Sequence, residues 1–318
     1  MRFKLLSVIP NKSAIVISLF LFFISGMLHA AQGSRDFLID ADTLLEKMES
    51  DHKPVILEVR YHPHRYFTVG HIPGAIQVQR FKDLGDNLAN PIMRFPSAQK
   101  FQQTLRSWGI NNDSDIVIYD DSSTALSARL YVMLIMYGFD ASKVSVLDGG
   151  TREWMGMNDM EKTATPAPKI GNVTLKGPDP EMLIEWPVIY QDVLSLRKPD
   201  VVLIDARPTA MYTGEVIKHA VQGGHIPGAI NIVSLDGTDA MAWKSAEELA
   251  DMYKNVGKDK TIYLYCHDGF RMSLAWMQLK SLGYQNVKLL NGGWTIWDKA
   301  MTLPIVKGAK PYDEEYAL

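Results

Sequence analysis

Six short apolar runs fall along this chain in two matching sets. Val55-Ile56-Leu57-Glu58-Val59-Arg60, Asp115-Ile116-Val117-Ile118-Tyr119-Asp120 and Val144 to Gly150 make up the first set. Val201 to Arg207, Thr261 to Cys266 and Val287 to Gly293 make up the second. These runs are nearly continuous in apolar character, which predicts strands covered on both faces rather than on one. Between the second and third run of each set lies an apolar-periodic segment that ends on glycine, Leu130 to Gly138 and Leu274 to Gly283. Both predict helices. The alternation of buried strands and amphipathic helices predicts an α/β fold, a mainly parallel sheet with helices on both faces in each half.

The two sets belong to one repeated unit. Gly70-His71-Ile72-Pro73-Gly74-Ala75-Ile76 returns as Gly224-His225-Ile226-Pro227-Gly228-Ala229-Ile230. The strand before each copy ends in acid-x-Arg, with Glu58 and Arg60 in one half and Asp205 and Arg207 in the other. Each half closes on Gly-Gly, with Trp154 or Trp297 at the same distance beyond. A period this long is a duplicated domain and not a solenoid repeat. The expected layout is a first domain at 36–162, a linker at 163–178 and a second domain at 179–306. Thr163-Ala164-Thr165-Pro166-Ala167-Pro168-Lys169 opens the linker, where proline and small residues disfavour helix. The histidines and the turn glycines occur in both halves, so a structural role is expected of them. The tryptophans at 154, 186, 243, 294 and 297 are expected to pack in the core or between domains, with Trp243 and Trp294 as alternative pocket walls.

Bulk composition narrows the function classes. The chain has 318 residues, enough for about two domains. A net charge of −3 provides no global field for nucleic acid or an anionic membrane. Tyr61-His62-Pro63-His64-Arg65 offers two histidines without a third ligand, so no metal is implied. The N-terminus differs from the rest. Arg2, Lys4 and Lys12 precede an apolar run from Ala14 to Leu28, and His29-Ala30-Ala31 follows. That is the plan of a secretory signal over residues 1–30. The expected location is outside the cytoplasm, in the periplasm, or at the membrane through an uncut N-terminal anchor. If the signal is cut, no stable membrane partner remains.

The chain has a single cysteine, Cys266, at the end of an apolar run. A loop, His267-Asp268-Gly269-Phe270-Arg271, leads from it into a helical segment. Backbone N–H groups and the helix dipole at such an entrance favour thiolate over thiol. The duplication supplies an internal control. In the first half the matching position is Asp120, followed by Asp121-Ser122-Ser123-Thr124-Ala125, with neither thiol nor arginine. A packing role would be expected in both halves, so a cysteine in only one of them points to reactivity.

From Phe37 to Thr302 the chain resembles the rhodanese family of sulfurtransferases in its tandem two-domain form. The resemblance rests on the acid-x-Arg strand ends, the Gly-His-Ile-Pro-Gly-Ala segments and the Gly-Gly-x-x-x-Trp closures, in that order in both halves, and on the Cys-x-x-Gly-x-Arg loop of the second. It implies a non-catalytic first domain and a catalytic second one. It also implies two-step transfer of a sulfane sulfur through a persulfide on Cys266, from thiosulfate or 3-mercaptopyruvate to cyanide or a thiol, without a cofactor. The partners implied are a small-molecule donor and acceptor, and a protein thiol is a possible acceptor. His267, Asp268, Gly269, Phe270 and Arg271 are expected to bind the donor or form its loop. Arg207, supported by Asp205, is expected to orient the donor or the loop. Where relatives often place a second arginine this chain has Met211, which weakens the case for a carboxylate-bearing donor. Two other readings of the same residues stand beside this one. One is a non-catalytic sulfur carrier or binding module. The other is a cysteine phosphatase, whose Cys-x5-Arg loop would be one residue longer than that of Cys266 and Arg271.

Overall fold

The structure, a computed structural model, describes residues 34–86, 88 and 93–313. The signal-like segment at 1–30 therefore lies outside the described residues. Among the described residues no helix is long and apolar enough to cross a membrane.

Among the described residues twelve strands are formed. In the first half these are β1 (Leu38–Ile39), β2 (Val55–Val59), β3 (Ile76–Val78), β4 (Ile116–Asp120) and β5 (Val144–Leu147). In the second they are β6 (Leu183–Ile184), β7 (Val201–Asp205), β8 (Ala229–Asn231), the short pair β9 (Thr238–Asp239) and β10 (Ala242–Trp243), β11 (Thr261–Tyr265) and β12 (Val287–Leu290). Each half builds a five-stranded sheet, in the order β1-β5-β4-β2-β3 and then β6-β12-β11-β7-β8. Every pairing within these two sheets is parallel. The two orders are the same when strands are matched along the chain, so the repeat in sequence is a repeat in topology.

Strand periodicity decides which face each residue meets. Ile116 and Ile118 of β4 enter one apolar cluster and Val117 and Tyr119 enter another. In β11, Ile262 and Leu264 share the first of these clusters while Tyr263 and Tyr265 turn the other way. The shared cluster takes residues from both domains. Four helices bear on this arrangement: α1 (Ala41–Glu49), α2 (Ala125–Met136), α3 (Gly150–Met157) and α4 (Phe270–Ser281). α1 and α3 pack on the outer face of the first sheet. α2 and α4 lie against each other between the two domains, and nearly every residue of both is buried. A helix buried around its whole circumference needs apolar residues on all sides. α2 meets that need with a single charge, Arg129, in its sequence.

The linker is non-helical, in keeping with its prolines, but it is no loose tether. Gly171 N–H donates to the Arg106 carbonyl (2.8 Å), Val173 N–H to Ile110 (3.1 Å) and Lys176 N–H to Tyr137 (2.9 Å). Three backbone bonds hold it along the first domain.

The Gly-His-Ile-Pro-Gly segments are wired identically. His71 stacks on Tyr66 with centroids 3.6 Å apart, and His225 stacks on Tyr212 at 3.7 Å. Tyr66 Oη donates to the Ala75 carbonyl (2.6 Å) and Tyr212 Oη to Ala229 (2.7 Å). Ile72 N–H donates to Tyr119 Oη (2.9 Å) and Ile226 N–H to Tyr265 Oη (3.2 Å). The histidines thus hold turns, and neither is placed for chemistry. His225→Ala is expected to cost about 1–3 kcal/mol of stability through the lost stack and hydrogen bonds. The alkylation rate of Cys266 should stay within about twofold of the parent. Thermal melts and iodoacetamide labelling check both outcomes.

Candidate active site around Cys266

β11 ends at Tyr265, and Cys266 follows with the parity of Ile262 and Leu264. Its side chain therefore turns toward the interdomain core, where it is fully buried. α4 begins at Phe270, with Gly269 as its cap at φ +104°. That left-handed turn aims the Gly269 N–H back at Cys266, and it donates to Sγ at 3.1 Å. The Met272 N–H also acts on the sulfur.

The same cradle exists in the first domain, filled differently. Asp120 Oδ1 accepts from the N–H groups of Ser122 (2.9 Å) and Thr124 (3.1 Å). Oδ2 accepts from the N–H groups of Leu126 and Ser127, both at 2.8 Å. Four backbone donors from the loop and the first turn of α2 converge on one buried carboxylate. The strand-to-helix turn of this fold is therefore an anion nest. One domain supplies its own anion, and the other presents a sulfur.

Electrostatic balance at the sulfur differs from the sequence expectation. Burial pushes the Cys266 thiol above the ordinary cysteine range, and Asp268 pushes the same way. The Met272 and Gly269 N–H groups and Arg271 oppose them without winning. The helix entrance does favour the anion, but the expectation left out the desolvation that two packed domains impose.

A cleft of about 910 Å³ opens over the loop. His267, Asp268, Phe270 and Arg271 line it from the second domain, along with Lys218, His219 and Lys299. Tyr61, Arg80 and Phe81 face them from the first domain. The Arg80 guanidinium lies 4.0 Å from the Tyr61 ring centroid and 4.3 Å from that of Phe81. Four permanent cations and one carboxylate, Asp268, make the cleft suited to anions. His267 Nδ1 has no hydrogen-bond partner among the described residues, and burial lowers the ring's affinity for a proton.

Arg207, expected to orient the donor or the loop, is not among the residues that line the cleft. Its Nε and Nη2 bond both oxygens of Asp205 at 2.6–3.0 Å, and Nη2 also reaches the Gly224 carbonyl at 2.6 Å. It is buried, with Trp294 beneath its guanidinium at 4.4 Å. Arg60 makes the same ion pair with Glu58 and the same bond to a turn carbonyl, Gly70, in the first domain. A feature present in both halves braces the strand end against its turn. Trp243 and Trp294 are buried and do not line the cleft, and Met211 does.

Sequence reading missed the first-domain wall and a buried cation, Arg129. The signal for Arg129 was available, since it is the one charge in a twelve-residue apolar helix.

A model of the rhodanese-like domain matches residues 40–157 and again 191–300. The sulfur carrier protein TtuD of Thermus thermophilus is 32% identical over 86% of this chain and 97% of its own length. A Haloferax volcanii protein provisionally named a thiosulfate sulfurtransferase is 31% identical over 86% of this chain and 98% of its own. The crystal structure of the 3-mercaptopyruvate sulfotransferase SseA from Escherichia coli superposes with a TM-score of 0.71 at 26% identity, covering 81% of this chain and 98% of that one.

Proposed function

Because this chain belongs to the rhodanese family, we propose that it is a sulfurtransferase that carries sulfur as a persulfide on Cys266. One observation carries the reading. The first domain's nest holds a built-in carboxylate, and in the second domain the chain's single cysteine takes that place. On this reading residues 36–162 form a non-catalytic domain and 179–306 a catalytic one.

The Cys266 thiolate attacks the outer sulfur of a donor such as thiosulfate. The donor's S–S bond breaks, its electron pair leaves with sulfite, and the outer sulfur stays on Cys266 as a persulfide anion. An acceptor nucleophile, cyanide or a thiolate, then attacks that terminal sulfur, and the bonding pair returns to Sγ. This is covalent catalysis in two displacements. The Gly269 and Met272 N–H groups stabilise the anionic sulfur without reorganising. Arg271 draws in the anionic donor, while His267, Asp268 and Phe270 shape the approach. Asp205 and Arg207 hold the strand end from which the loop springs. Cys266 is fully buried, so the loop must yield to admit the donor's sulfur. Residues 1–30 fit an export signal, which would place this chemistry in the cell envelope.

Mixed with excess thiosulfate and no acceptor, the protein is expected to release one equivalent of sulfite and stop. The thiol's midpoint is raised, so the thiolate fraction grows about tenfold per pH unit below that midpoint. The sulfite-release rate should follow it upward from pH 6 to 8. A rate flat over that range, or no sulfite with any donor, would contradict the reading.

TtuD's name favours a second reading, a carrier that passes sulfur only to a protein partner. Rapid one-equivalent sulfite release with negligible turnover on cyanide and small thiols would select it.

A further inference from the structure

Arg129 sits on α2, in the domain without the thiol, and is fully buried. Among the described residues its guanidinium bonds only backbone carbonyls. Nε and Nη2 reach Leu84 O at 2.9 and 2.7 Å, and Nη2 reaches Met93 O at 2.9 Å. Nη1 crosses the domain interface to Asp268 O in the Cys266 loop, at 3.3 Å. The Phe95 ring lies 4.3 Å from the guanidinium carbon and the Phe270 ring 5.5 Å from it. Arg60, Arg65, Arg94 and Arg207 each make an ion pair, and among the described residues Arg129 makes none.

A buried cation without a carboxylate partner is costly, and a fold that keeps one has another anion to set against it. The groups whose charge acts on Arg129 are Asp268, Cys266 and Tyr137. Asp268 is half-buried on the cleft and beyond ion-pair distance, and burial raises the Tyr137 phenol far enough to keep it neutral. Cys266 remains as the group whose charge changes during the chemistry.

Resting on the sulfurtransferase reading, we propose that Arg129 is a positioning residue for the sulfur site. It clamps the Asp268–Gly269 stretch of the loop and supplies, from the thiol-free domain, the countercharge for an anionic sulfur on Cys266. The first domain is then half of the electrostatic site as well as one wall of the cleft. Burial draws the Arg129 guanidinium down only to about 10, so it is charged throughout the neutral range.

The test compares Arg129→Met and Arg129→Lys with the parent. The readout is the pH profile of Cys266 alkylation by iodoacetamide, followed by mass spectrometry, with far-ultraviolet circular dichroism as the fold check. Arg129→Met is expected to displace the profile by about one unit or more toward alkaline pH. At pH 8 that is a tenfold slower reaction. Arg129→Lys keeps the charge and loses the fork. It should keep the profile within about half a unit of the parent while the sulfite-release rate falls about tenfold. A folded Arg129→Met protein with the parent's profile overturns the proposal. If Arg129→Met does not fold, the lysine variant decides, and parental values in both measurements overturn it. Alkylation needs no sulfur transfer. A parent that never forms a persulfide would therefore refute the functional reading while leaving this test in place.

Discussion

Cys266→Ser is expected to reduce thiosulfate:cyanide turnover by on the order of 10⁴-fold or more, because the hydroxyl is a poor nucleophile for sulfur and no other thiol exists in the chain. The structure argues that this loss will be nearly free of a folding defect. Cys266 packs with Ile262, Leu264 and the α4 residues Met272 and Leu274 in the interdomain core, and serine is smaller by a fraction of one methylene. The Gly269 N–H that now donates to Sγ can donate to the serine oxygen instead. The hydroxyl proton must find a partner, which sets the cost at about 1 kcal/mol. A variant that is inactive and melts within a few degrees of the parent fits a reactive sulfur. Loss of activity together with gross unfolding would point to cysteine as core packing.

Gly269→Ala is expected to have the next largest effect, because two independent costs meet there. The residue sits at φ +104°, where an L side chain pays about 1–2 kcal/mol. A Cβ at this position would also overlap Arg129 Nη1, the atom that reaches the loop from the other domain. Either the guanidinium or the loop must move, and both hold the sulfur site. The expected result is a stability loss of about 2–4 kcal/mol and turnover reduced about 100-fold. Gly74→Ala is the control. It has φ +77° but nothing within 4 Å of the new Cβ, so it should carry the backbone cost alone and keep its turnover. Equal effects from the two substitutions would show that the Arg129 overlap contributes nothing.

The contrast between these glycines illustrates what the sequence could disclose. The apolar runs at 55–60, 115–120, 201–207 and 261–266 announced the central strands because both faces of each are buried. The two-residue strands β1 and β6 are too short for any periodicity to mark them. The loop from Cys266 to Arg271 was legible because its chemistry is local, one thiol, one glycine and one helix start. Properties that depend on docking the two domains were not. The depth of Cys266, and with it the upward push on its thiol, comes from α2 and α4 closing over the sheets. Whether Arg207 orients the donor or the loop could not be read from the sequence, although Arg60 in the other half already hinted at a shared structural duty. Arg129 is separated from Asp268 by 139 positions, and no spacing rule links them.

Sulfur transfer by this protein requires that Cys266 accept a sulfur atom. Protein incubated with thiosulfate, freed of small molecules and analysed by intact and peptide mass spectrometry, should gain the mass of one sulfur on the peptide that holds Cys266. Cyanide should remove that sulfur, and Cys266→Ser should never acquire it. A protein that stays at its unmodified mass with thiosulfate and with 3-mercaptopyruvate alike would contradict the central claim.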